Sequence, residues 1–199
     1  MRIEIRSDSV VIDGYVNAVE RMSNPVITPH GKVIEVIEQR AFERALGRAE
    51  NVDLLLNHDK ERKLGSVADG NLELWEDNIG LRAVCSVTDS EVIQKAKEGK
   101  LKGWSFGMYA TNDSIEKRAD GLPIRHIKDL DIFEVSIIDN RMNPCYTATS
   151  IETRADGEKV IENRASESKI VVENMVETPK ETINYSEYEN RIMKLKVGK

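Results

Sequence analysis

Hydrophobic and polar positions alternate over much of the chain as they do in a β-sheet. From Val10 to Asn17 apolar and polar residues alternate around Gly14, which predicts a strand with a bend at the glycine. The run "VDLLLNHD", Val52 to Asp59, predicts a buried strand with a polar end. After it the turn signals "ADGN" and "EDNIG" separate three further short strands. This pattern is typical of an antiparallel meander.

Two segments have helical periodicity instead. The stretch "EQRAFERALG" places four apolar side chains on one helical face: Ala41, Phe42, Ala45 and Leu46. The segment before it, Asn24 to Lys32, carries two prolines and a glycine and predicts a loop. In "TDSEVIQKAKEGK", Thr88 and Glu91 stand at capping-box spacing and Gly99 follows where a helix would end. Two short amphipathic helices are therefore expected.

Two longer β-type runs flank the polar segment "TNDSIEKRADGLP". Leu101 to Ala110 predicts a strand with Trp104 and Phe106 on the core face and Ser105 on the other. Ile127 to Asp139 is rich in β-branched residues and predicts one long strand. Together with the meander and the helices, these strands predict an α+β fold that is mainly antiparallel β.

The composition changes after Ile151. From Glu152 onward the chain is rich in Glu and Lys and nearly free of aromatic residues. Such a segment buries too little apolar surface to offset its ordering entropy. We expect one domain over residues 1–151 and a charged tail over 152–199 that is disordered, apart from a helix around residues 185–195.

Charge and cysteine content exclude several classes of protein. The formal net charge is −6 with no cluster of Lys and Arg, which argues against a nucleic-acid partner. Cys85 and Cys145 are far apart and match no metal or redox spacing, so free thiols in a reducing compartment are expected, with no metal or cofactor. The first residues, "MRIEIRSDSVVIDGY", contain no signal peptide or membrane span. The expectation is a cytoplasmic protein.

Ser105 is the first candidate for chemistry. It lies between Gly103 and Gly107, so no side chain on its strand face obstructs a peptide that approaches its hydroxyl. Two glycines weaken a strand and require a reason. Close packing of small residues against another element is the competing explanation, and spacing alone favours it.

His58 and Glu134 are the other two candidates. His58 closes the strand from Val52 and is suited to act as a general base if a hydroxyl lies within reach; a solvent-facing cap is the alternative. His30, in the proline-rich loop, and His126, near a turn, are weaker candidates. Glu134 lies among apolar residues on one strand face, where a carboxylate needs a partner. A structural bond to Arg or Ser is its competing explanation.

Serine, histidine and carboxylate are the three parts of a hydrolytic triad. All three lie on predicted strands of one domain. Ser105 has no G-x-S-x-G elbow around it, and the order His, Ser, acid differs from the familiar proteases. The chemistry would therefore require a mostly β scaffold.

The motifs "LLLNHD", "LGSV", "GLRAVCSV", "EGKLKGWSFGMY" and "LDIFEVSIIDNRMNP" occur in this order. The series resembles the prohead (capsid maturation) protease family of tailed bacteriophages, of the HK97 type, over about the first three quarters of the chain. That family is considered related to assemblin, the herpesvirus maturation protease. The resemblance implies an antiparallel β-barrel ringed by short helices.

The resemblance also implies roles for residues. By motif, Ser105 would be the nucleophile, His58 the base and Glu134 the third member. His126 is the rival for the third role, because herpesvirus enzymes use a second histidine, and Asp59 and Asp131 are lesser alternatives.

The oxyanion donors of assemblin follow its third member on a loop. "DNRMNP" is the matching segment here, and Arg141 is its candidate donor. An ordinary solvated arginine in a turn is the alternative reading of Arg141.

The function implied is a serine endopeptidase inside the phage procapsid, in the bacterial host. It would cleave scaffold or major capsid protein (delta) segments and itself, with no cofactor and no membrane partner, and a homodimer is one expected state by analogy with the herpesvirus enzymes. Two alternatives stay open. One is a catalytically inactive capsid-assembly or scaffold-like module of the same fold, and the other is an intracellular binding domain of unrelated β-barrel type.

Overall fold

The structure is a computed structural model that describes residues 1–29, 31–141, 151–152, 161–167 and 169–175. The secondary structure of this part of the chain is mainly β, with two short helices. The strands are β1 (Arg2–Ile5), β2 (Val10–Ala18), β3 (Val26–Thr28), β4 (Gly31–Ile37), β5 (Asp53–Leu56), β6 (Asp59–Ser66), β7 (Leu72–Glu76), β8 (Gly80–Val87), β9 (Leu101–Glu116), β10 (Ile124–Asp139), β11 (Ile151–Glu152), β12 (Ile161–Glu167) and β13 (Val171–Asn174). The helices are α1 (Ala41–Arg48) and α2 (Ser90–Lys97).

The strands form two sheets. The first has the order β13-β1-β2-β8-β7, and the second has the order β11-β12-β9-β10-β4-β3, with β5 paired to β10 and β6 paired to β5. Among the described residues neither sheet closes on itself, so the expectation of a barrel is wrong. Closure requires the first and last strands to pair, whereas β7 and β13 stay at opposite edges of the first sheet. The pairing is mostly antiparallel as expected, although β10 pairs with β4 and β5 in parallel.

The core contains the aromatic face of β9. Trp104 and Phe106 have no exposed surface, and the ring of Phe42 from α1 meets the ring of Phe106 edge-on, with 5.3 Å between centroids. Edge-to-face contacts of this kind stabilise beyond the area they bury. The alternation that placed these side chains on the core face is confirmed.

Both expected helices are present, but the first turn of α2 is capped differently from the prediction. At α2 the side chain of Asp89, not Thr88, accepts a hydrogen bond from the backbone N–H of Val92. At α1 the carboxylate of Glu76, from β7, accepts from the backbone N–H groups of Arg40 and Glu43. A negative charge at this end of a helix also complements the helix dipole.

The polar segment between β9 and β10 is shorter than the sequence indicates. β9 runs to Glu116 and β10 starts at Ile124, because the two strands continue as a paired hairpin. The proline-rich segment expected to be a loop also contains β3 and the start of β4, which pair with each other. The part of β9 from Thr111 to Glu116 is mainly polar and exposed or half-buried, and β3 has only three residues, so hydrophobic alternation does not reveal either hairpin.

Part of the expected tail belongs to the sheets. β12 pairs antiparallel with β9, and β13 pairs parallel with β1, so the expectation of disorder is wrong for residues 161–167 and 171–174. The helix expected around residues 185–195 lies outside the described residues.

A buried cluster of charged side chains attaches β12 to the second sheet. Arg164 Nε and Nη2 donate to the two oxygens of Glu35 on β4, at 2.5 and 2.7 Å, and Arg164 also pairs with Glu162. Arg125 of β10 donates to Glu35 at 3.0 Å and to Glu162 at 2.7 Å. All four side chains are at most 7% exposed. Burial alone lowers the pKa of Arg125, but Glu162 and Asp113 raise it above its ordinary value.

Replacing Arg164 by methionine is expected to destabilise the fold by about 3–5 kcal/mol, because it leaves two buried carboxylates facing one guanidinium. Denaturant unfolding followed by circular dichroism measures the loss. Arg82→Met is the matched control, since Arg82 also makes two hydrogen bonds to one carboxylate, Asp13, but on a partly exposed surface. A loss for Arg164→Met no larger than that of the control would contradict the prediction.

Candidate active site

β9 and β10 bring Ser105 and Glu134 to the same face of the second sheet. In the register of these antiparallel strands Ser105 is opposite Ser136, and Glu134 is opposite Gly107. Directly opposed residues of neighbouring strands point to the same side. Glu134 and Ser105 are both buried, with 4% and 0% of their surface exposed. The backbone pairing therefore fixes the nucleophile candidate and the carboxylate candidate side by side.

Gly107 makes room for this carboxylate. A methyl group at residue 107 would come within 2.6 Å of Glu134 Oε1 and of the Phe133 ring, closer than such contacts allow. The sequence pattern suggested that Gly107 clears space for a substrate. In the structure the space beside Gly107 is filled by the protein's own carboxylate and ring, so this glycine is required for the placement of Glu134.

His58 lies in a turn and not at the end of a strand, which corrects the sequence expectation. Leu56 of β5 pairs with Asp59 of β6, so Asn57 and His58 form a two-residue hairpin loop. Both have positive φ, 57° and 62°, as a type I′ turn requires. Asparagine and histidine adopt this conformation more readily than most residues, but for any residue other than glycine it has a cost.

Three hydrogen bonds to β10 hold the turn in this conformation. The backbone N–H of Asn57 donates to the Ile137 carbonyl at 3.0 Å, and the Asn57 side-chain oxygen accepts from the Asp139 N–H at 3.0 Å. The backbone N–H of His58 donates to Ser136 Oγ at 3.1 Å. The strained turn is thus attached to the strand that carries Glu134.

The three side chains form a continuous hydrogen-bonded chain. His58 Nδ1 lies 2.7 Å from Glu134 Oε1, and His58 Nε2 lies 2.6 Å from Ser105 Oγ. A carboxylate only accepts, so Nδ1 carries the proton that points at Glu134 and Nε2 is left to accept from the serine hydroxyl. This is the arrangement that nucleophilic catalysis by serine requires: a hydroxyl, a base in contact with it, and a carboxylate that orients the base.

The structure does not bring the alternative residues to this cluster. His126 precedes Glu134 by eight positions on β10, which separates them by roughly 26 Å at about 3.3 Å per residue, and its ring bonds Glu116. Asp59 accepts from the backbone of Glu61. Asp131 pairs with Arg48 of α1. The remaining histidine of the sequence, at position 30, lies outside the described residues.

Arg141 lies just beyond the end of β10. Its guanidinium donates to Asp139 at 3.1 Å and to Glu91 at 2.7 Å, and none of its contacts within the described residues is with the His58 cluster. An oxyanion role for Arg141 stays a prediction.

Asp139, the last residue of β10, accepts hydrogen bonds from Arg141 and pairs with Lys95. Burial by itself raises the pKa of Asp139, but Lys95 and the backbone N–H of Arg141 lower it to about 2. The backbone N–H of Asp139 donates to the side chain of Asn57, and a hydrogen bond to Asn57 also lowers the pKa of the Asp139 carboxyl group. Asp139 therefore supports the turn that carries His58.

The sequence of the chain was compared with models of known protein families. A family model described as caudovirus prohead serine protease matches residues 1–163, which include Ser105, His58 and Glu134. The chain belongs to this family. As a prohead serine protease, it is a serine peptidase. No curated protein and no solved structure matches the chain at a significant level.

Two further features of this prohead protease lie away from the cluster. Cys85 is a buried free thiol, and burial raises its pKa to about 12, so it is not a nucleophile at neutral pH; Cys145 lies outside the described residues. Within the described ranges, no helix has the length and apolar character needed to cross a membrane.

Sequence reasoning assigned no role to Asn57, and it considered a bond from Glu134 to a serine only as the alternative to a catalytic role. Asn57 enables the turn, and Ser136 contacts both the His58 backbone and the Glu134 carboxylate. The signal for Ser136 was present in the sequence, since it shares a strand face with Glu134 two positions away.

Proposed function

We propose that this prohead protease is an endopeptidase in which Ser105 is the nucleophile, His58 the general base and Glu134 the group that orients the base. The hydrogen-bonded chain from Glu134 through His58 to Ser105 carries the proposal, with heavy-atom distances of 2.7 and 2.6 Å. These distances lie within the range in which a base takes a proton directly.

In the acylation step Ser105 Oγ attacks the carbonyl carbon of the scissile peptide bond while its proton passes to His58 Nε2. Glu134 stabilises the imidazolium that forms. His58 then gives the proton to the leaving nitrogen, and the peptide C–N bond breaks to leave an ester on Ser105. Water releases the acyl group by the same route: its proton goes to His58, its oxygen attacks the ester, and the proton returns to Ser105.

The substrates we propose are the scaffold or major capsid protein of a tailed phage, together with the enzyme's own tail. The family description supports a place in the prohead, and therefore in the procapsid interior within the bacterial host. The HK97 type, the relationship to assemblin and a homodimeric state belong to this proposal as well, on the strength of the motif resemblance.

Ser105 has no exposed surface, which is the observation that bears on the alternative of a catalytically inactive assembly module. A peptide carbonyl reaches Ser105 Oγ only after neighbouring segments move. We favour a latent protease over an inert module, because an inert module needs neither the buried carboxylate nor the strained histidine turn, and both cost stability. An enzyme that must not digest its precursors before assembly benefits from such latency.

A fluorophosphonate probe tests the proposal. Such a probe reacts with a serine whose hydroxyl is activated by a neighbouring base, and the attached label is located by mass spectrometry of peptides. The probe is much smaller than a peptide, so a transient opening of the segments over Ser105 is enough to admit it. We expect the label on Ser105 of the folded chain, and none on the same residue after denaturation. A folded chain that stays unlabelled both alone and mixed with a capsid precursor would contradict the proposal, as would a label on a different serine.

A further inference from the structure

Within the described residues, the Ser136 hydroxyl is the one that contacts two members of the candidate triad. It has no exposed surface and stands opposite Ser105 in the pairing of β9 with β10. Its Oγ lies 2.6 Å from Glu134 Oε2 and 3.1 Å from the backbone nitrogen of His58. Its Oγ also lies 3.4 Å from His58 Nδ1, so the hydroxyl joins the acid to both the backbone and the imidazole of the base.

The direction of each hydrogen bond follows from the groups involved. The backbone N–H of His58 donates, so Ser136 Oγ accepts from it, and its own hydrogen is left for the carboxylate of Glu134, which accepts. This use of the hydroxyl satisfies its donor and one acceptor position, and its other acceptor position is available to His58 Nδ1–H at 3.4 Å. A buried hydroxyl with both functions in use has one favoured orientation.

The two oxygens of Glu134 are thereby given different partners. Oε2 accepts from Ser136, and Oε1 accepts from His58 Nδ1 at 2.7 Å. Without the Ser136 hydroxyl, one carboxylate oxygen would be buried with no donor among these contacts, and the carboxylate would be free to rotate about its last bond. Rotation would weaken the contact that holds the imidazole toward Ser105.

The same hydroxyl also acts on the backbone of His58. His58 has a φ of 62°. Its backbone N–H donates one of the three hydrogen bonds that attach the turn to β10. Strained conformations of this kind persist where surrounding contacts over-determine them.

We infer that Ser136 is a positioning residue of the reaction, which fixes the rotation of the Glu134 carboxylate and the backbone of His58 so that Nε2 faces Ser105. The inference rests on the proposed function, since it assigns Ser136 a part in the activation of Ser105. Ser136 itself touches neither the substrate nor the reacting atoms.

The test compares fluorophosphonate labelling rates of the full chain and three variants. In the labelling reaction the Ser105 oxygen bonds to phosphorus, the P–F bond breaks, fluoride leaves, and the serine proton passes to His58 and then to solvent. Ser136→Ala is expected to slow labelling by about ten- to hundredfold, as expected when a hydrogen bond to a charged group is lost. Ser136→Thr restores the hydroxyl and is expected to restore most of the rate.

Ser66→Ala is the matched control. Ser66 is also buried, its hydroxyl donates to Asp69 at 2.6 Å, and it accepts from the Asp69 backbone N–H at 3.1 Å, so it makes the same pair of bonds away from the cluster. We expect similar losses of thermal stability in Ser66→Ala and Ser136→Ala, and a slower labelling rate in Ser136→Ala alone. Equal labelling rates in the two variants would overturn the inference.

Proton NMR gives a second readout that does not depend on labelling. A proton shared between His58 Nδ1 and a carboxylate is strongly deshielded, and its signal is expected in the wild type, in Ser136→Thr and in Ser66→Ala, but shifted or lost in Ser136→Ala. An unchanged signal in Ser136→Ala would also overturn the inference. If the wild type is not labelled, the proposed function fails; if it is labelled and Ser136→Ala is labelled equally fast, the role of Ser136 alone fails.

Discussion

The Ser105→Ala chain is expected to leave capsid precursors uncut and to keep its own full mass, whereas the wild-type chain is expected to cut both. Removing the nucleophile of a serine protease lowers turnover by about 10⁶-fold, because the acyl-enzyme cannot form. The residual rate comes from binding of the transition state alone. The loss of one hydroxyl from a buried serine changes packing little, so the variant is expected to fold. Intact-mass spectrometry over time, with and without a capsid precursor, measures both outcomes.

Ser66→Ala again serves as the control, since it removes a buried hydroxyl that has no contact with His58 or Glu134. It is expected to retain full proteolysis. Cleavage by Ser105→Ala at the wild-type rate would rule out Ser105 as the nucleophile. If neither the wild type nor the variant cuts itself or a precursor, the inactive assembly module becomes the better explanation.

Glu134→Gln is expected to reduce turnover by about 10⁴-fold while the fold stays intact, the size of loss that follows when a triad carboxylate becomes an amide. The amide carries no charge to stabilise the imidazolium. In one of its two orientations it also donates to His58 Nδ1, which moves the ring proton to Nε2 and stops that atom from accepting the proton of Ser105. Cleavage rate and the circular dichroism spectrum together measure this result.

Two substitutions provide the comparison for Glu134→Gln. Asp131→Asn makes the same carboxylate-to-amide change three positions earlier on β10, and His126→Gln removes the rival histidine; both are expected to leave cleavage unchanged. If Glu134→Gln keeps its activity, the third role passes to water, because His126 is eight positions away on the same strand and bonds Glu116. A loss of activity with an altered spectrum would instead assign Glu134 a role in folding.

The strand pattern was sufficient to place Ser105 and Glu134. Alternation along β9 sets Ser105 on the face opposite Trp104, and a carboxylate within an apolar strand face requires a polar partner, which proves to be His58 together with Ser136. Both inferences rest on the two-residue period of a strand, which the sequence displays directly. The distances between the three side chains depend on the strand register, which the sequence does not display.

The turn at His58 was not predictable in the same way. Two-residue hairpin loops are recognised from sequence by asparagine followed by glycine, and here histidine stands at the glycine position. The positive φ of His58 is imposed by hydrogen bonds to β10, which lies about eighty residues away in the chain. Contacts between such distant segments leave no local pattern in the sequence.

The strand β12 was missed for a related reason. Glu162 and Arg164 have the composition of a solvated tail, and charged residues are almost never buried without partners. Their partners, Glu35 and Arg125, are more than thirty residues away in each case. The open arrangement of the two sheets also depends on long-range pairing. The local strand signals indicated a mainly antiparallel fold, and the barrel was implied by the resemblance to assemblin.

The position of β12 beside β9 affects the order in which the molecule folds. Its Ala165 pairs with Ser105, so the strand that carries the serine gains its second neighbour from a segment made about sixty residues later. During synthesis the earlier strands emerge first, and β9 then has a free edge of the kind that invites pairing with other chains. Pairing over such long separations is slow. The edge next to Ser105 is therefore among the last parts of the sheet to close on a growing chain.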